Sequence, residues 1–407
     1  QLTMEVMKKV ADKHGLVCLL HEKPFEGING SGKHNNWSMI TDTGVNILDP
    51  GKTPAENTQF LIFLTAVIKA VDEYADVLRI SVASAGNDHR LGANEAPPAV
   101  VSVFLGDELT EVLKSIENDE YFAGSRAVQM DIGAKVLPHF VKDNTDRNRT
   151  SPFAFTGNRF EFRMVASSNS IGDTNTVLSA MMAEAFADAI DALTGAEDLD
   201  KAVEEYTLKL MREHERIIFN GNGYSAEWPV EAEKRGLPNC KSIVDAIPSL
   251  VADSTVKMYE RFNIMSKAEL EARKEILFEQ YAGVRNIEAL TMIDMASKMF
   301  IPSVVYYTKE LADTAIAVKE AGADASTQIE LLNAVIAKLN EAKAGLEDLK
   351  KATAKAQSID DNQEKAESYK SEVMAAMAEL RKPVDELEMI VDKEVWPVPS
   401  YGDILFY

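Results

Sequence analysis

The chain has 407 residues, 46% of them hydrophobic, which exceeds one ordinary domain and suffices for a sizeable core. Its formal net charge of −22, from 65 acidic against 43 basic side chains, argues against nucleic acid or an anionic membrane as the main partner. A few arginines in a cleft could still set a local field for an anionic substrate, and most of the excess acid lies beyond residue 184 as a solvated helical face. No apolar run is long enough for a membrane span; Phe60 to Val71 is the richest, and Thr65 and Lys69 interrupt it. Cys18 and Cys240 are too few and too far apart for a disulfide framework, which fits a reducing, cytoplasmic setting. The chain opens on Gln1 without a cationic, apolar leader, and this reads as the edge of a fragment.

In chain order, Leu2 to Lys13 reads as a helix and Leu16 to Leu20 as an apolar strand, with Cys18 a small buried hydrophobe. Gly27 to Lys33 fits the phosphate-loop pattern G-x-x-x-x-G-K, but His34 stands where Ser or Thr should hold magnesium. The following His34-Asn-Asn-Trp-Ser-Met-Ile40 reads as extended rather than as the helix that a phosphate loop needs, so that reading is rejected. As a strand, it puts His34, Asn36 and Ser38 on one face and Asn35, Trp37 and Met39 on the other. Thr53-Pro54 reads as a helix start, followed by Phe60, Leu64, Val67, Ile68 and Val71 at helical spacing as core. Arg79 to Ser84 alternates like a strand and leads into Gly86 to Gly92, a segment read as a mobile binding loop.

The run Arg159-Phe-Glu-Phe-Arg163 places Arg159, Glu161 and Arg163 on one strand face and Phe160, Phe162 and Met164 on the other. Taken by alternation alone, an Arg/Glu ladder on a solvated sheet face is the simpler reading. A carboxylate between two guanidinium groups would stay ionised and could hold a divalent cation, while the arginines hold phosphate or carboxylate oxygens. Beyond about Asn175 the chain reads as nearly all helix: Val177 to Leu193, Leu199 to Phe219, Lys267 to Phe278, and Arg285 to Phe300 ending at Ile301-Pro302. Leu332, Val335, Ile336, Leu339, Leu346 and Leu349 form one stripe; Val373, Met377, Leu380, Leu387 and Ile390 form another, across a polar stretch at Lys351 to Lys365. An antiparallel helical hairpin is the expected arrangement, serving as internal core or as a subunit contact.

Several of these segments, in this order, resemble glutamine synthetase. Asn29-Gly-Ser-Gly-Lys-His34 matches the family's N-G-S-G-x-H metal-histidine motif, and Arg159 to Arg163 its R-x-E-x-R strand. Arg90-Leu91 and Glu95-Ala-Pro97 are similar to the substrate arginine and the E-A-P flap, and Arg147-Asn-Arg-Thr150 to the R-N-R-S stretch. His21-Glu-Lys-Pro24, Lys33-His-Asn-Asn-Trp37 and the long helical tail look most like the type III variety.

The resemblance implies an α+β fold. It would be the C-terminal part of a catalytic domain with a curved, largely antiparallel sheet and helices, then a long helical region with a hairpin. The expected divisions are 1–175 for the metal, ATP and glutamate motifs, 176–302 and 303–395 for helical region and hairpin, and 396–407 for the tail. It also implies His34 and Glu161 as ligands of a Mg2+ or Mn2+ shared with phosphate oxygens. Asn29, Gly30, Arg90 and Arg163 would hold glutamate, and Asn36, Ser38, Arg149 and Arg159 would meet the nucleotide, with Arg149 beside the transferred phosphoryl group. Glu95 would close over the site and accept a proton from ammonium. Asn36 departs from the histidine common at its position, and Ala154 and Thr156 stand where the family has further basic residues.

The implied reaction is ATP-dependent ligation of ammonia to the γ-carboxylate of glutamate through a γ-glutamyl phosphate, in a cytoplasmic homo-oligomer of stacked rings. The alternatives are a γ-glutamyl ligase using an organic amine, or an inactive oligomer-forming fragment. The last arises because the family's remaining metal glutamates and its small β-grasp domain precede the histidine motif, and only 28 residues do so here.

Overall fold

A computed structural model describes residues 2–18, 20–25, 27–117, 150–400 and 402–403, together with the backbone of 129–130 and 140–141. Arg147, Asn148 and Arg149 lie outside the described residues.

The helices in chain order are α1 (Leu2–Lys13), α2 (Thr58–Glu73), α3 (Ala75–Ile80), α4 (Ala85–Arg90), α5 (Asp107–Glu117), α6 (Gly172–Leu193), α7 (Leu199–His214) and α8 (Glu227–Lys234). They continue with α9 (Ile243–Ala246), α10 (Asp253–Arg261), α11 (Lys267–Met295), α12 (Ile301–Glu320), α13 (Ser326–Gln357), α14 (Asn362–Ser368) and α15 (Met374–Ile390). The strands are β1 (Gly32–Trp37), β2 (Val103–Phe104), β3 (Gln129–Met130), β4 (Phe140–Val141), β5 (Phe153–Phe155) and β6 (Phe160–Ala166). By packing, the chain divides into one compact unit at 20–272 and another formed by 1–19 with 273–407.

In the 20–272 unit the sheet order is β1-β6-β5-β2, antiparallel except for the parallel β2–β5 pair, while β3 and β4 form a separate ribbon. Phe153, Phe160 and Phe162 are wholly buried, and their rings pack at 4.7 Å (153 to 160) and 5.8 Å (153 to 162). This aromatic layer is the inward half of the β6 alternation, and it fixes which side chains of β6 face away from it. Helix α2 carries Phe60, Leu64, Val67, Ile68 and Val71 as buried core, in agreement with their spacing.

Other expectations are corrected. Leu16 to Leu20 is not a strand in its described part: Leu16 and Val17 are exposed and their backbone finds no ladder partner. Thr53 caps nothing with its side chain; Pro54–Glu56 is a short 3-10 turn, and Asn57 caps α2 by accepting the Phe60 amide at 3.1 Å. Arg79 to Ser84 is not a strand. Arg79 sits near the end of α3, buried, donating to Asp88 at 2.9 Å and to the carbonyls of Cys240 and Lys241. Gly86 to Gly92 is not a free loop, because Ser84 accepts the Asn87 amide at 3.1 Å and starts α4. Local alternation lost here to a cap and to a buried ion pair. Cys18 and Cys240 are free thiols of intermediate exposure.

Lys267 to Met295 is one continuous helix rather than two, and in the other unit Pro302 does not end the run. A π turn at Ala296–Phe300 precedes it, with the Ile301 amide bonded to the Ala296 carbonyl, and Pro302 lies in the first turn of α12. Helix α13 packs against both α12 and α15. The α13–α15 pairing is antiparallel: Lys338 meets Glu386 at 2.7 Å, Gly345 faces Leu380, and Lys355 meets Glu372 at 2.7 Å. A Cβ at Gly345 would lie 3.1 Å from the Leu380 Cα, so this glycine permits the close approach. Val304, Leu311, Val335, Ala342, Leu387 and Val391 form the core there, with Trp396 stacked on Phe300 at 5.1 Å.

Candidate active site

The site is built on the β1–β6 ladder. Lys33 pairs with Val165 and Asn35 with Phe162, so Arg163 and Met164 of β6 lie opposite the single residue His34. This irregularity bends the ladder where the polar side chains converge, a common use of a bulge beside a functional site. His34 Nδ1 lies 2.7 Å from Glu161 Oε1, and Arg163 donates Nε at 3.0 Å and Nη2 at 2.7 Å to Glu161 Oε2. His34 is more than half exposed at 55%, Glu161 is 15% exposed and Arg163 3%. The three form a line from solvent to core.

Burial raises the Glu161 pKa, but the hydrogen bonds and charge of Arg163, then those of His34, more than offset this and hold it below the ordinary carboxylate value of 4.5. The carboxylate is therefore ionised, and its outer oxygen faces the imidazole. An imidazole nitrogen and a carboxylate oxygen suit Mg2+ or Mn2+ in donor type. Among the described residues no group of three or more His, Cys, Asp or Glu side chains converges to hold a metal. Two donors are part of a shell that needs about six.

Asn36, opposite Glu161 across the ladder, is exposed, while Asn35 is buried and donates to Asn175 at 2.9 Å. Ser38 donates to Asn46 at 2.8 Å and to the Asn158 carbonyl at 3.0 Å. Arg159 lies in the turn before β6 and is exposed. The expected shared face of Arg159, Glu161 and Arg163 is thus split: one arginine stands in solvent, and the other is buried on the carboxylate.

The glycine-rich loop explains its own composition. Arg90 is 4% exposed and lies beneath it, donating to the carbonyls of Arg163 (2.9 Å), Met164 (3.2 Å) and Val165 (3.3 Å) and to Asn87 Oδ1 (3.2 Å). A Cβ on Gly32 would collide with its guanidinium, and one on Gly30 would lie 2.6 Å from the Glu22 carbonyl and 3.0 Å from Arg90 Cγ. Gly30 meets fixed backbone, so glycine is required there, whereas a methyl group at Gly32 would require the Arg90 guanidinium to shift. Burial pushes the Arg90 pKa down, and the charges of Glu22 and Tyr224 pull the other way.

Above this loop, Asn29 Nδ2 donates to Glu95 Oε2 at 2.7 Å and Asn94 Nδ2 donates to the Gly27 carbonyl at 2.6 Å. Glu95 has φ +51°, a left-handed conformation that a non-glycine residue keeps only when its surroundings hold it there. A cavity of about 390 Å3 adjoins the Asn94-Glu95 segment and is lined also by Tyr224 and Pro229.

Sequence reasoning missed Asn87, wholly buried and bonded to the carbonyls of Val82 and Met164, and Glu22, which is 3% exposed. Both stand inside quoted motifs, but burial of an amide or carboxylate has no periodic signature.

An antiparallel ladder presenting imidazole, carboxylate and guanidinium beneath a glycine-rich loop defines part of an α+β catalytic domain, followed by a helical region. Residues 1–102 match the family described as glutamine synthetase, catalytic domain, and residues 202–319 match the glutamine synthetase C-terminal domain. The whole chain is similar to a glutamine synthetase of Butyrivibrio fibrisolvens at 47% identity and to a type-3 glutamine synthetase of Dictyostelium discoideum at 42%. It is 37% identical to a glutamine synthetase of Bacteroides fragilis. The chain belongs to the glutamine synthetase family. It spans 58%, 56% and 58% of the length of those three relatives. Among the described residues no helix is long and apolar enough to cross a membrane.

Proposed function

We propose that this chain carries part of the active site of an ATP-dependent ligase that joins ammonia to the γ-carboxylate of glutamate. The observation that carries the reading is the His34–Glu161–Arg163 line beneath the Asn29–Gly32 loop, in a chain of this family. A γ-carboxylate oxygen attacks the γ-phosphorus of ATP, giving γ-glutamyl phosphate and ADP. That phosphorylation turns a poor leaving oxide into a good one, so ammonia can attack the acyl carbon and inorganic phosphate leaves. A bound Mg2+ or Mn2+ supplies charge stabilisation at the phosphate oxygens, and His34 and Glu161 are the residues that would hold it.

Arg163 keeps Glu161 ionised and aimed. Glu95, with Asn29 as its anchor, is the acceptor for the proton that ammonium releases. Arg90, Arg163, Asn29 and Gly30 shape the glutamate end, and Arg159, Asn36, Ser38 and Arg149 serve the nucleotide. In this reading residues 1–175 carry the catalytic portion, 176–302 and 303–395 the helical region and hairpin, and the full-length protein works as a cytoplasmic homo-oligomer of stacked rings.

With two metal donors among the described residues, a second reading is also argued: by itself this chain is inactive, and the shell is completed by the rest of a longer enzyme. The test is glutamine formation from glutamate, ATP and ammonium by the full-length parent, by its His34→Ala and Glu95→Ala variants, and by this chain alone. The expected result is product from the parent, none from His34→Ala, and from Glu95→Ala intact nucleotide binding with ATP hydrolysis uncoupled from product. A parent that accepts an organic amine and not ammonium overturns the choice of substrate, and a His34→Ala variant of full activity overturns the site.

A further inference from the structure

Glu22 is a carboxylate the proposed chemistry does not use, yet it is 3% exposed. Its Oε1 accepts the Ser168 amide at 2.9 Å and the Ser168 hydroxyl, just beyond the end of β6. Its backbone carbonyl accepts the Ser31 amide at 2.8 Å, inside the glycine-rich loop. Its other oxygen, Oε2, faces the start of α4 so closely that a Cβ on Gly86 would lie 2.7 Å from it. One residue thus touches the loop, the end of the β6 strand and the helix that carries Arg90.

Charge gives this contact its meaning. The Arg90 guanidinium is buried, and the acceptors it reaches are three peptide carbonyls and one amide oxygen, all neutral. A buried cation among neutral acceptors carries a large desolvation penalty unless a negative charge lies near. Glu22 is the carboxylate whose charge acts on Arg90. Gly30 and Gly32 rest directly on Arg90, so whatever fixes that guanidinium also fixes the height of the loop bearing Asn29.

We propose that Glu22 is a positioning residue: its buried carboxylate pins Ser168 and compensates Arg90, and so holds the Asn29–Gly32 loop in the register that the glutamate site requires. The inference rests on the functional reading above for its kinetic arm, and it stands on geometry alone for its structural arm. Glu22→Gln keeps size, shape and an acceptor oxygen for Ser168 but removes the charge.

In the full-length enzyme, Glu22→Gln is expected to raise KM for glutamate by roughly tenfold or more, since small displacements of positioning groups are costly. KM for ATP should stay near the parent's, while the melting temperature falls because Arg90 loses the charge that offsets its burial. In this chain, hydrogen–deuterium exchange should speed up at residues 29–32 in Glu22→Gln while α12, α13 and α15 keep their protection; Ser168→Ala should show a smaller rise at the same place. Unchanged exchange at 29–32 overturns the proposal whether or not the parent makes glutamine. An equal rise in both KM values also overturns it, since loss of selectivity between the two substrates is the mark of a plain structural strut. If the parent forms no glutamine but exchange at 29–32 rises, the positioning role stands and the catalytic reading falls.

Discussion

The β1–β6 ladder and the α12–α13–α15 helices are held together in opposite ways. At the ladder, His34 and Glu161 meet from 127 residues apart, through single polar atoms, next to a guanidinium that has almost no access to water. Along α13 the contacts repeat with the helical period: Val335, Ala342, Leu346 and Leu349 are buried in turn, and charges such as the Lys343–Glu347 pair stay outside. Removing one group from the ladder should leave a buried charge without its counter-ion, whereas removing one from the helices leaves a cavity. The first is a fault of polarity and the second of volume, and the two should respond differently to pH.

The largest effect is expected from Glu161→Ala, which strips Arg163 of its carboxylate and should destabilise the 20–272 unit by about 3–5 kcal/mol, read by denaturant unfolding. Stability equal to the parent's would mean that the other acceptors of Arg163, the Ser151 carbonyl at 3.4 Å among them, suffice. Leu346→Ala should cost about 3 kcal/mol through its cavity, and unlike the first change this cost should be the same at acid and neutral pH. Gly32→Ala should cost about 1–3 kcal/mol because the new methyl group meets Arg90; if Arg90 can move aside, the loss will vanish and the tight approach is not a constraint.

A fourth expectation uses acid. The folded-state pKa of Glu161 is depressed, so its stabilisation is full above the ordinary value of 4.5 and fades as pH falls through the lower folded value. Glu161→Gln should therefore flatten the acid limb of a stability–pH curve. The smallest effect should come from Glu347→Gln. That carboxylate is held down at about 2 because Lys343 and Lys350 bond it, but its side chain is 45% exposed, and water and salt screen the pair. A clear drop in melting temperature there would show that the helical surface depends on its ion pairs after all.

How much of this could be read in advance follows from the same contrast. The stripes of α2, α13 and α15 were legible because a 3.6-residue period is local, apart from Ile336, which was read into the α13 stripe and is exposed; so was the alternation of β6, whose phenylalanines are buried as read. Arg79 to Ser84 misled because six alternating residues are too few to outweigh the Arg79–Asp88 ion pair and the Ser84 cap of α4. Pro302 misled because a π turn absorbs it.

By itself the sequence determined which residue types were available for the site, in which order, and where helical and strand periods run, because these depend on neighbours a few positions away. Only the tertiary structure decided that Arg163 turns onto Glu161 while Arg159 stays in solvent, that Arg90 lies beneath Gly30 and Gly32, and that Glu22 is buried beside it. The physical reason is that a charge takes its role from its desolvation and its partners. Both are properties of segments that meet only once the chain has folded.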